Sequence, residues 1–259
     1  MNFIGAIAVV TSVAVFGFTY RQLCQKNLRT RLVIFGTLAL MSIPALLAAL
    51  YYLHVLPEMA WFYSMRSWSG SEFLVIFPGA AGGALAALLP RWALLLPLLG
   101  SIGLGIVPYL KPVMNPLDLG NFPEKWEGDA CLQSTSSTCG PACTASILKS
   151  LGLRASEHEI ALAAFTSGSG TEAWYLARYV RSRGLGARFE FEPTFSTSVG
   201  FPAMIGVRVG SFGHFIAVLE VSGDQVTCVD PLSGKARLPL SEFLRRYEFT
   251  GFHMVVFRP

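Results

Sequence analysis

Acidic residues are nearly absent from the first 110 positions of this 259-residue chain, where only Glu58 and Glu72 occur. Charged residues make up 14% of the whole chain and hydrophobic residues 53%. An average soluble domain has about 25% charged residues, so this composition predicts that part of the chain does not face water. From Lys111 onward both signs of charge are frequent and nearly balanced. The net charge of +4 therefore comes mostly from the first half.

Three sequence patterns that would indicate other functions are missing. There is no Gly-x4-Gly-Lys-Ser/Thr phosphate loop, which argues against an ATP-driven exporter. No basic and aromatic stripe accompanies the positive charge, so we expect no nucleic-acid partner. There is also no Cys-x-x-Cys pair, although structural zinc sites usually present close pairs. Cys139 and Cys143 are four positions apart, and Cys131, His214 and Cys228 are the remaining candidate ligands. We expect neither a metal nor another cofactor.

Four apolar segments follow one another in residues 1–110, which we predict to be a four-helix transmembrane region. The segments cover about 3–20, 32–53, 73–89 and 92–110. A helix that crosses a bilayer needs roughly 20 apolar residues, with a range of about 17–25, and all four segments qualify. The third carries Gly79 and Gly83 at a spacing that lets helices approach closely. No positive charge precedes the first segment and no small-residue cleavage site follows it, which favours a retained span over a signal peptide.

Positive charge in the short loops predicts the orientation of these spans. The loop Arg21–Arg31 carries four Lys or Arg residues and no acid, so we expect it in the cytoplasm. The loop Val55–Glu72 and the C-terminal half then lie outside. The chain is thus expected to be an integral, multi-pass protein of a bacterial inner or plasma membrane. Its expected partners are the lipid bilayer, a polypeptide substrate and, as an open alternative, a membrane protein that docks on the spans.

Residues 111–128 contain three prolines and are predicted to form an extended linker. Residues 129–259 are long enough for one compact domain. Helices are predicted from Cys139, from the capping box at Ser156–Glu159 and from Gly170, with the arginines of the third helix on a solvated face. Strand-like runs follow at Ala187–Phe191, Ala203–Val209, His214–Val221, Gln225–Val229 and Met254–Arg258. This order of elements predicts an α+β domain.

Four polar residues of this domain form a candidate catalytic set. Cys139 follows the candidate caps of a helix, whose free N–H groups and positive dipole end stabilise a thiolate. His214 begins an apolar strand and Asp230 ends the next, so a turn at 222–224 would bring the two side chains together. An Asp there orients the imidazole toward the thiol. Gln133 lies six positions before Cys139.

Each of these residues also has an ordinary structural explanation. A single cysteine is more often a small buried hydrophobe than a nucleophile. A histidine on an apolar strand is usually structural, and Asp-Pro commonly starts a turn. The candidate set rests on the four residues occurring together. Whether Cys131 and Cys143 form a disulfide stays open.

The motifs also resemble a known family. Gln133-x5-Cys139-Gly-Pro-Ala, Gly170-Thr, Gly213-His214-Phe-x-Ala-Val, Asp230-Pro and Phe249-Thr-Gly-Phe are similar to peptidase family C39, the papain-like peptidases that process bacteriocins at double-glycine leaders. The resemblance covers about 131–257. It implies that Cys139 is the nucleophile, His214 the general base and acid, Asp230 its orienting partner and Gln133 an oxyanion donor.

The chain departs from that family pattern in two ways. Thr138 stands where many relatives have Asp, and the domain is C-terminal without an ATPase. The resemblance implies a cysteine endopeptidase, with a Gly-Gly-type leader site as one candidate for cleavage, and the apolar segments would anchor it in the membrane. The alternatives are a catalytically silent module that binds leader peptides and another papain-like acyl transferase or amidase.

Overall fold

The computed structural model describes residues 2–53, 55–118, 120 and 122–259, without the side chain of Pro108. Leu119 and Asn121 of the predicted linker lie outside the described residues. The chain divides into two compact units. The first comprises Met1–Glu58 and Ser69–Val113, and the second Met59–Trp68 and Met114–Pro259.

The helices are α1 (Phe3–Cys24), α2 (Leu28–Met41), α3 (Ile43–Tyr52), α4 (Ala60–Arg66), α5 (Ile76–Ala86), α6 (Leu95–Ile106), α7 (Leu110–Met114), α8 (Cys139–Ser150), α9 (Glu157–Ala163), α10 (Ala173–Ser182) and α11 (Leu240–Arg246). The strands are β1 (Lys125–Glu127), β2 (Ala130–Leu132), β3 (Gly186–Phe191), β4 (Ala203–Val209), β5 (Phe212–Ser222), β6 (Gln225–Asp230), β7 (Gly234–Pro239) and β8 (Glu248–Phe257). Three short 3-10 turns occupy Ser71–Val75, Arg91–Ala93 and Val107–Tyr109.

The structure corrects the prediction of four spanning helices. Among the described residues, one helix, α1, is long and apolar enough to cross a membrane, and the pair α2–α3 would be a second if counted as one span. That pair bends by 47° where Pro44, in the first turn of α3, lacks a backbone donor. The other two apolar segments form the shorter helices Ser71–Ala86 and Arg91–Ile106. Hydropathy alone did not account for these breaks.

The glycines of α5 bring it against α1 within the first unit. A methyl group added at Gly79 would collide with the backbone oxygen of Ser12, and one at Gly83 with that of Phe16. Ser12 also donates its hydroxyl hydrogen to the carbonyl of Val75 at 2.7 Å. The small-residue spacing noted in the sequence therefore corresponds to a close approach of two helix backbones.

The second unit is built on a six-stranded antiparallel sheet in the order β3-β8-β4-β5-β6-β7. Helix α8 packs on β5 and β4, and α10 packs on β3. Helix α11 packs on β6, β7 and β8, where Phe243 and Tyr247 join a core that includes Ile205, Ile216 and Cys228. The predicted α+β class is confirmed.

Two strands of the second unit differ from the prediction, β7 because it was not predicted and β8 because it is longer. Strand β7 carries Lys235, Arg237 and Pro239, which suit an edge strand but look like a loop in the sequence. Strand β8 begins at Glu248, six residues before its predicted start. In the sheet β8 lies between β3 and β4, which are distant from it in the sequence. The alternation of apolar and polar residues along one strand does not specify which strands pair with it.

Candidate active site

Cys139 is the first residue of α8. Its neighbour Thr138 occupies the cap position but makes no side-chain cap bond to the helix. The Thr138 hydroxyl bonds the backbone of Thr135 instead, accepting from its N–H at 3.1 Å and donating to its carbonyl at 3.1 Å. The helix start is thus left without a side-chain cap beside the thiol, which suits an anion at this position.

The glycine after Cys139 permits close packing beneath the thiol. A Cβ at Gly140 would lie 2.9 Å from the Leu176 side chain and 3.5 Å from Phe215. The Leu176 side chain would have to shift to accommodate it.

His214 and Asp230 meet across the β5–β6 hairpin. The Nε2 atom of His214 lies 2.9 Å from Oδ1 of Asp230, and both residues are buried at 7% exposure. The strand register pairs Ala217 with Val229, so the two residues are diagonal neighbours rather than directly opposite. The register shift between Val218 and Glu220 moves the pairing by one residue, which brings His214 from three positions away from Asp230 to two.

Asp230 is held by three donors. Its Oδ1 also accepts the backbone N–H of Leu232 at 3.0 Å, and its Oδ2 accepts the hydroxyl of Tyr247 at 3.0 Å. Burial alone would raise the pKa of Asp230, but the hydrogen bonds and the charge of His214 outweigh burial and lower this pKa. Burial raises the pKa of Tyr247, which therefore keeps its proton and acts as a donor. Tyr247 was not among the predicted site residues, since no sequence pattern marks it as more than an aromatic residue.

The imidazole of His214 links the carboxylate to the thiol. Burial by itself would lower the pKa of His214, but hydrogen bonds to Asp230 and Cys139 and the Coulomb attraction to both groups raise it to about 9. Because Nε2 faces Asp230, Nδ1 is the nitrogen left for Cys139. A protonated imidazole in this position favours a thiolate.

Gln133 lies in the same site, with its side chain partly engaged. Its Nε2 donates to the carbonyl of Thr135 at 2.8 Å, and its backbone N–H donates to the carbonyl of Pro231 at 3.0 Å. The second bond ties the Gln133 loop to the end of β6, next to Asp230. One of the two N–H groups of the amide is thereby used within the loop, which leaves the other for a ligand.

The buried carboxyl group of Glu157, which no sequence pattern indicated, holds Ser134, the residue that follows Gln133. Glu157 is fully buried, and its two oxygens accept the backbone N–H of Ser134 at 2.8 Å and the Ser134 hydroxyl at 2.6 Å. The Ser156 hydroxyl caps α9 by accepting the N–H of Glu159 at 3.0 Å, as the capping box predicted. That box was the only sequence signal near Glu157, and it gave no indication that the side chain turns inward.

A cleft of about 900 Å³ opens over these residues. Gln133, Cys139 and His214 line it together with small residues of two loops: Ser134, Thr135, Ser136, Ser137, Gly168, Ser169 and Gly170. Exposed apolar side chains of Val209, Phe212 and Leu232 contribute the rest of the wall. The site is thus an open cleft lined by both small polar and apolar residues.

The other cysteines of the second unit differ from Cys139 in their surroundings. Cys131, Cys143 and Cys228 are buried, and burial raises the pKa of each, to about 11 for Cys228. The thiol of Cys143 donates to the carbonyl of Phe215 at 3.1 Å. All five cysteines are free, and no group of three or more potential metal ligands occurs within the described part of the chain. Cys139 is the thiol that reaches the cleft.

An α+β fold of this order, with helices on an antiparallel sheet and a cysteine at a helix start, is that of the papain-like peptidases. The chain belongs to the Peptidase C39 family, whose profile matches residues 129–258. Its domain is similar to bacteriocin-processing double-glycine peptidases.

Three relatives illustrate the extent of the similarity. An uncharacterised protein of Methanothermobacter marburgensis is 35% identical over 129 residues, which are 49% of this chain and 86% of that protein. The lactococcin-G-processing and transport ATP-binding protein LagD of Lactococcus lactis is 28% identical over 46% of this chain and 17% of its own length. The crystal structure of a double-glycine-motif protease from an AMS/PCAT transporter, in complex with its leader peptide, is 23% identical, with a TM-score of 0.43 over 49% of this chain and 89% of that one.

Proposed function

We propose that this protein is a membrane-anchored cysteine endopeptidase that cleaves a secreted or membrane-associated polypeptide. One observation carries the proposal. His214, whose ring lies 2.9 Å from Asp230, and Cys139 line the same open cleft, and Cys139 contributes to the raised pKa of His214. Helix α1, with the bent pair α2–α3 as a second span, would be the anchor.

The proposed reaction proceeds through an acyl-enzyme. The Cys139 sulfur attacks the carbonyl carbon of the scissile peptide bond, and the carbonyl oxygen becomes an oxyanion. The free N–H of the Gln133 amide and the Cys139 backbone N–H would stabilise that charge. His214 donates its proton to the leaving amine as the C–N bond breaks. Water, deprotonated by His214, then attacks the thioester and releases the new carboxyl end.

Two features of the cleft bear on the substrate. The loops 134–137 and 168–170 contribute only small side chains and glycines, which leaves room for the backbone of a substrate to approach Cys139. The exposed apolar side chains of Val209, Phe212 and Leu232 in the same cleft suit hydrophobic residues of a substrate. Membership in the family adds to this proposal.

The proposal is tested by substitution of the nucleophile and by labelling. We expect the Cys139→Ala variant to fold like the parent and to lose processing of a Gly-Gly-containing peptide completely. A thiol-directed electrophile should modify Cys139 rapidly in the parent and far more slowly in His214→Ala. Full activity in Cys139→Ala would contradict the proposal.

The products separate the alternatives. A new amino and a new carboxyl end, detected by mass, indicate an endopeptidase, whereas incorporation of an added amine indicates an acyl transferase. Tight binding of the peptide with no Cys139 labelling and no cleavage would indicate the catalytically silent binding module.

A further inference from the structure

Helix α4 belongs to the second unit although the chain on both sides of it belongs to the first. The chain leaves the first unit at Glu58, contributes Met59–Trp68 to the second unit and returns at Ser69. The family match begins only at residue 129, so this segment lies outside the region shared with the family. We call Met59–Trp68 the inserted segment.

The inserted segment contributes two aromatic rings to the core of the second unit. Tyr63, 4% exposed, contacts the rings of Phe189, Phe191 and Phe252 with centroids 5.3, 5.4 and 5.6 Å apart. It also meets Trp174 of α10 at 5.3 Å. These partners lie on β3, β8 and α10, so a single tyrosine joins three elements of the unit. Aromatic clusters of this kind bury large areas and add ring–ring attraction.

Phe62 extends the same contact. It is 2% exposed, and its ring lies edge-on to Trp174 at 6.0 Å. Trp174 is fully buried, so part of its cover comes from a segment more than a hundred residues earlier in the chain. Without the inserted segment, the rings that face Tyr63 and Phe62 would be exposed to water.

Polar contacts hold the C-terminal end of α4. Arg178 donates to the carbonyl of Arg66 at 2.8 Å, and Arg181 donates to the carbonyl of Ser67 at 3.1 Å and to its hydroxyl at 2.5 Å. Helix ends leave carbonyl groups without partners, and cations are favoured there by the helix dipole. The guanidinium of Arg66 also lies 5.7 Å from the ring centroid of Trp174. The expectation that the arginines of α10 lie on a solvated face is therefore wrong for Arg178 and Arg181.

We propose that the inserted segment is an intramolecular docking helix, which the membrane-anchoring half supplies and the catalytic unit needs in order to complete its core. The surface that α10, β3 and β8 form is thus covered by the inserted segment of the same chain. The domain that the family shares, residues 129–258, would lack this part of its core in this protein.

The proposal also fixes sidedness. The inserted segment and Met114–Pro259 pack as one unit, so both have to lie on the same side of a bilayer. This consequence, unlike the core contribution, rests on the proposed membrane anchoring.

The first experiment tests the core contribution in the full chain, by following limited proteolysis of the second unit during heating. We expect Tyr63→Ala to lower the midpoint temperature by roughly 6–20 °C, the range for truncating a buried aromatic residue in a domain of this size. Tyr63→Phe should retain most of the stability. Trp61→Ala, which changes a half-exposed ring on the same short helix, should leave the midpoint within about 2 °C. A Tyr63→Ala midpoint equal to that of the parent would overturn the proposal.

The second experiment tests sidedness in sealed vesicles of a Cys139→Ser chain, with a membrane-impermeant maleimide. Trp61→Cys in the inserted segment and Glu220→Cys in β5, both exposed positions, should react from the same side, and the exposed native Cys24 from the other. Reaction of Trp61→Cys and Glu220→Cys from opposite sides would refute the docking helix. Reaction of all three from one side would refute the proposed topology of the anchor, while the proteolysis result still decides whether the segment docks.

Discussion

At the scale of single residues, the candidate site depends on which partners a side chain has. His214 and Asp230 are both buried, a situation that by itself disfavours the charged form of each. Their mutual contact and the donors around Asp230 reverse that preference, as the opposite pKa shifts of the two groups indicate. The pair is therefore expected to be charged at neutral pH, with the imidazolium next to Cys139.

The pH dependence of the proposed reaction follows from these shifts. The pKa of His214 is about 9, so kcat/KM should fall as the pH rises above 9 and the proton for the leaving amine is lost. In Asp230→Asn this alkaline limb should move down by about 1–3 pH units, because one opposing charge is removed while burial remains. The measurement is kcat/KM of a peptide substrate between pH 5 and pH 10.

Stability should follow the same linkage. Because the pKa of His214 in the folded state lies above its usual 6.5, the contribution of His214 to folding stability is complete below pH 6.5. That contribution is lost as the pH rises through about 9.

For the activity, an alkaline limb of kcat/KM in Asp230→Asn that is unchanged from that of the parent would contradict the assignment of Asp230 as the partner of His214.

A further residue-scale prediction concerns Glu157. In Glu157→Gln the carboxylate that accepts both the N–H and the hydroxyl of Ser134 is replaced by an amide, so the Gln133 loop should lose part of its fixed position. We expect kcat to fall roughly 10–100-fold, which does not exceed the decrease in kcat that removal of an oxyanion donor itself causes. Affinity for a peptide aldehyde, which forms a tetrahedral adduct, should fall in parallel, while the rate of Cys139 alkylation should not change.

Glu159→Gln is the matched control, since Glu159 lies on the same helix but bonds Tyr179 and Arg183 rather than the Gln133 loop. Equal losses of kcat in the two variants would mean that Glu157 acts only through the stability of α9. Thermal midpoints of both variants separate that case from a positioning role.

At the scale of elements, one helix start and one hairpin position the site. Helix α8 presents its uncapped first turn with Cys139, and the β5–β6 hairpin places His214 and Asp230 as diagonal neighbours. The hairpin itself was predictable from a Gly-Asp turn between two apolar strands. Its bulge was not, since an extra residue in one strand leaves no distinct mark on the alternation.

The close contact between α1 and α5 gives a prediction for the first unit. A Cβ at Gly83 would collide with the backbone oxygen of Phe16, which belongs to a helix and cannot move alone. Gly83→Ala should therefore destabilise the first unit by about 1–3 kcal/mol, the usual cost of overpacking. The measurement is chemical unfolding of the full chain in detergent.

Gly100→Ala is the control for that experiment. Gly100 lies in α6, and a methyl group added there would have no neighbouring side chain or other helix within 4 Å. Alanine at this position should therefore be neutral or stabilising by up to about 1 kcal/mol, because it has the higher helix propensity. If the two variants were equally stable, the α1–α5 approach would not contribute to the fold.

At the scale of the whole molecule, the chain enters the second unit twice. It contributes the inserted segment first and returns at Met114 for the rest of the domain. The core around Tyr63 therefore forms only when residues more than a hundred positions apart along the chain come into contact. Such contacts carry a loop-closure cost that the burial of several aromatic rings has to offset.

The sequence by itself determined the composition of the two halves, the α+β class and the four candidate site residues. It did so because helix caps, strand alternation and a thiol–imidazole–carboxylate–amide set each leave a local signal. Only the tertiary structure decided the number of long apolar helices, the place of β8 in the sheet, the inward turn of Glu157 and the contact of Tyr247 with Asp230. Each of these depends on which distant surface is available for burial, and neither periodicity nor propensity along the chain encodes that choice.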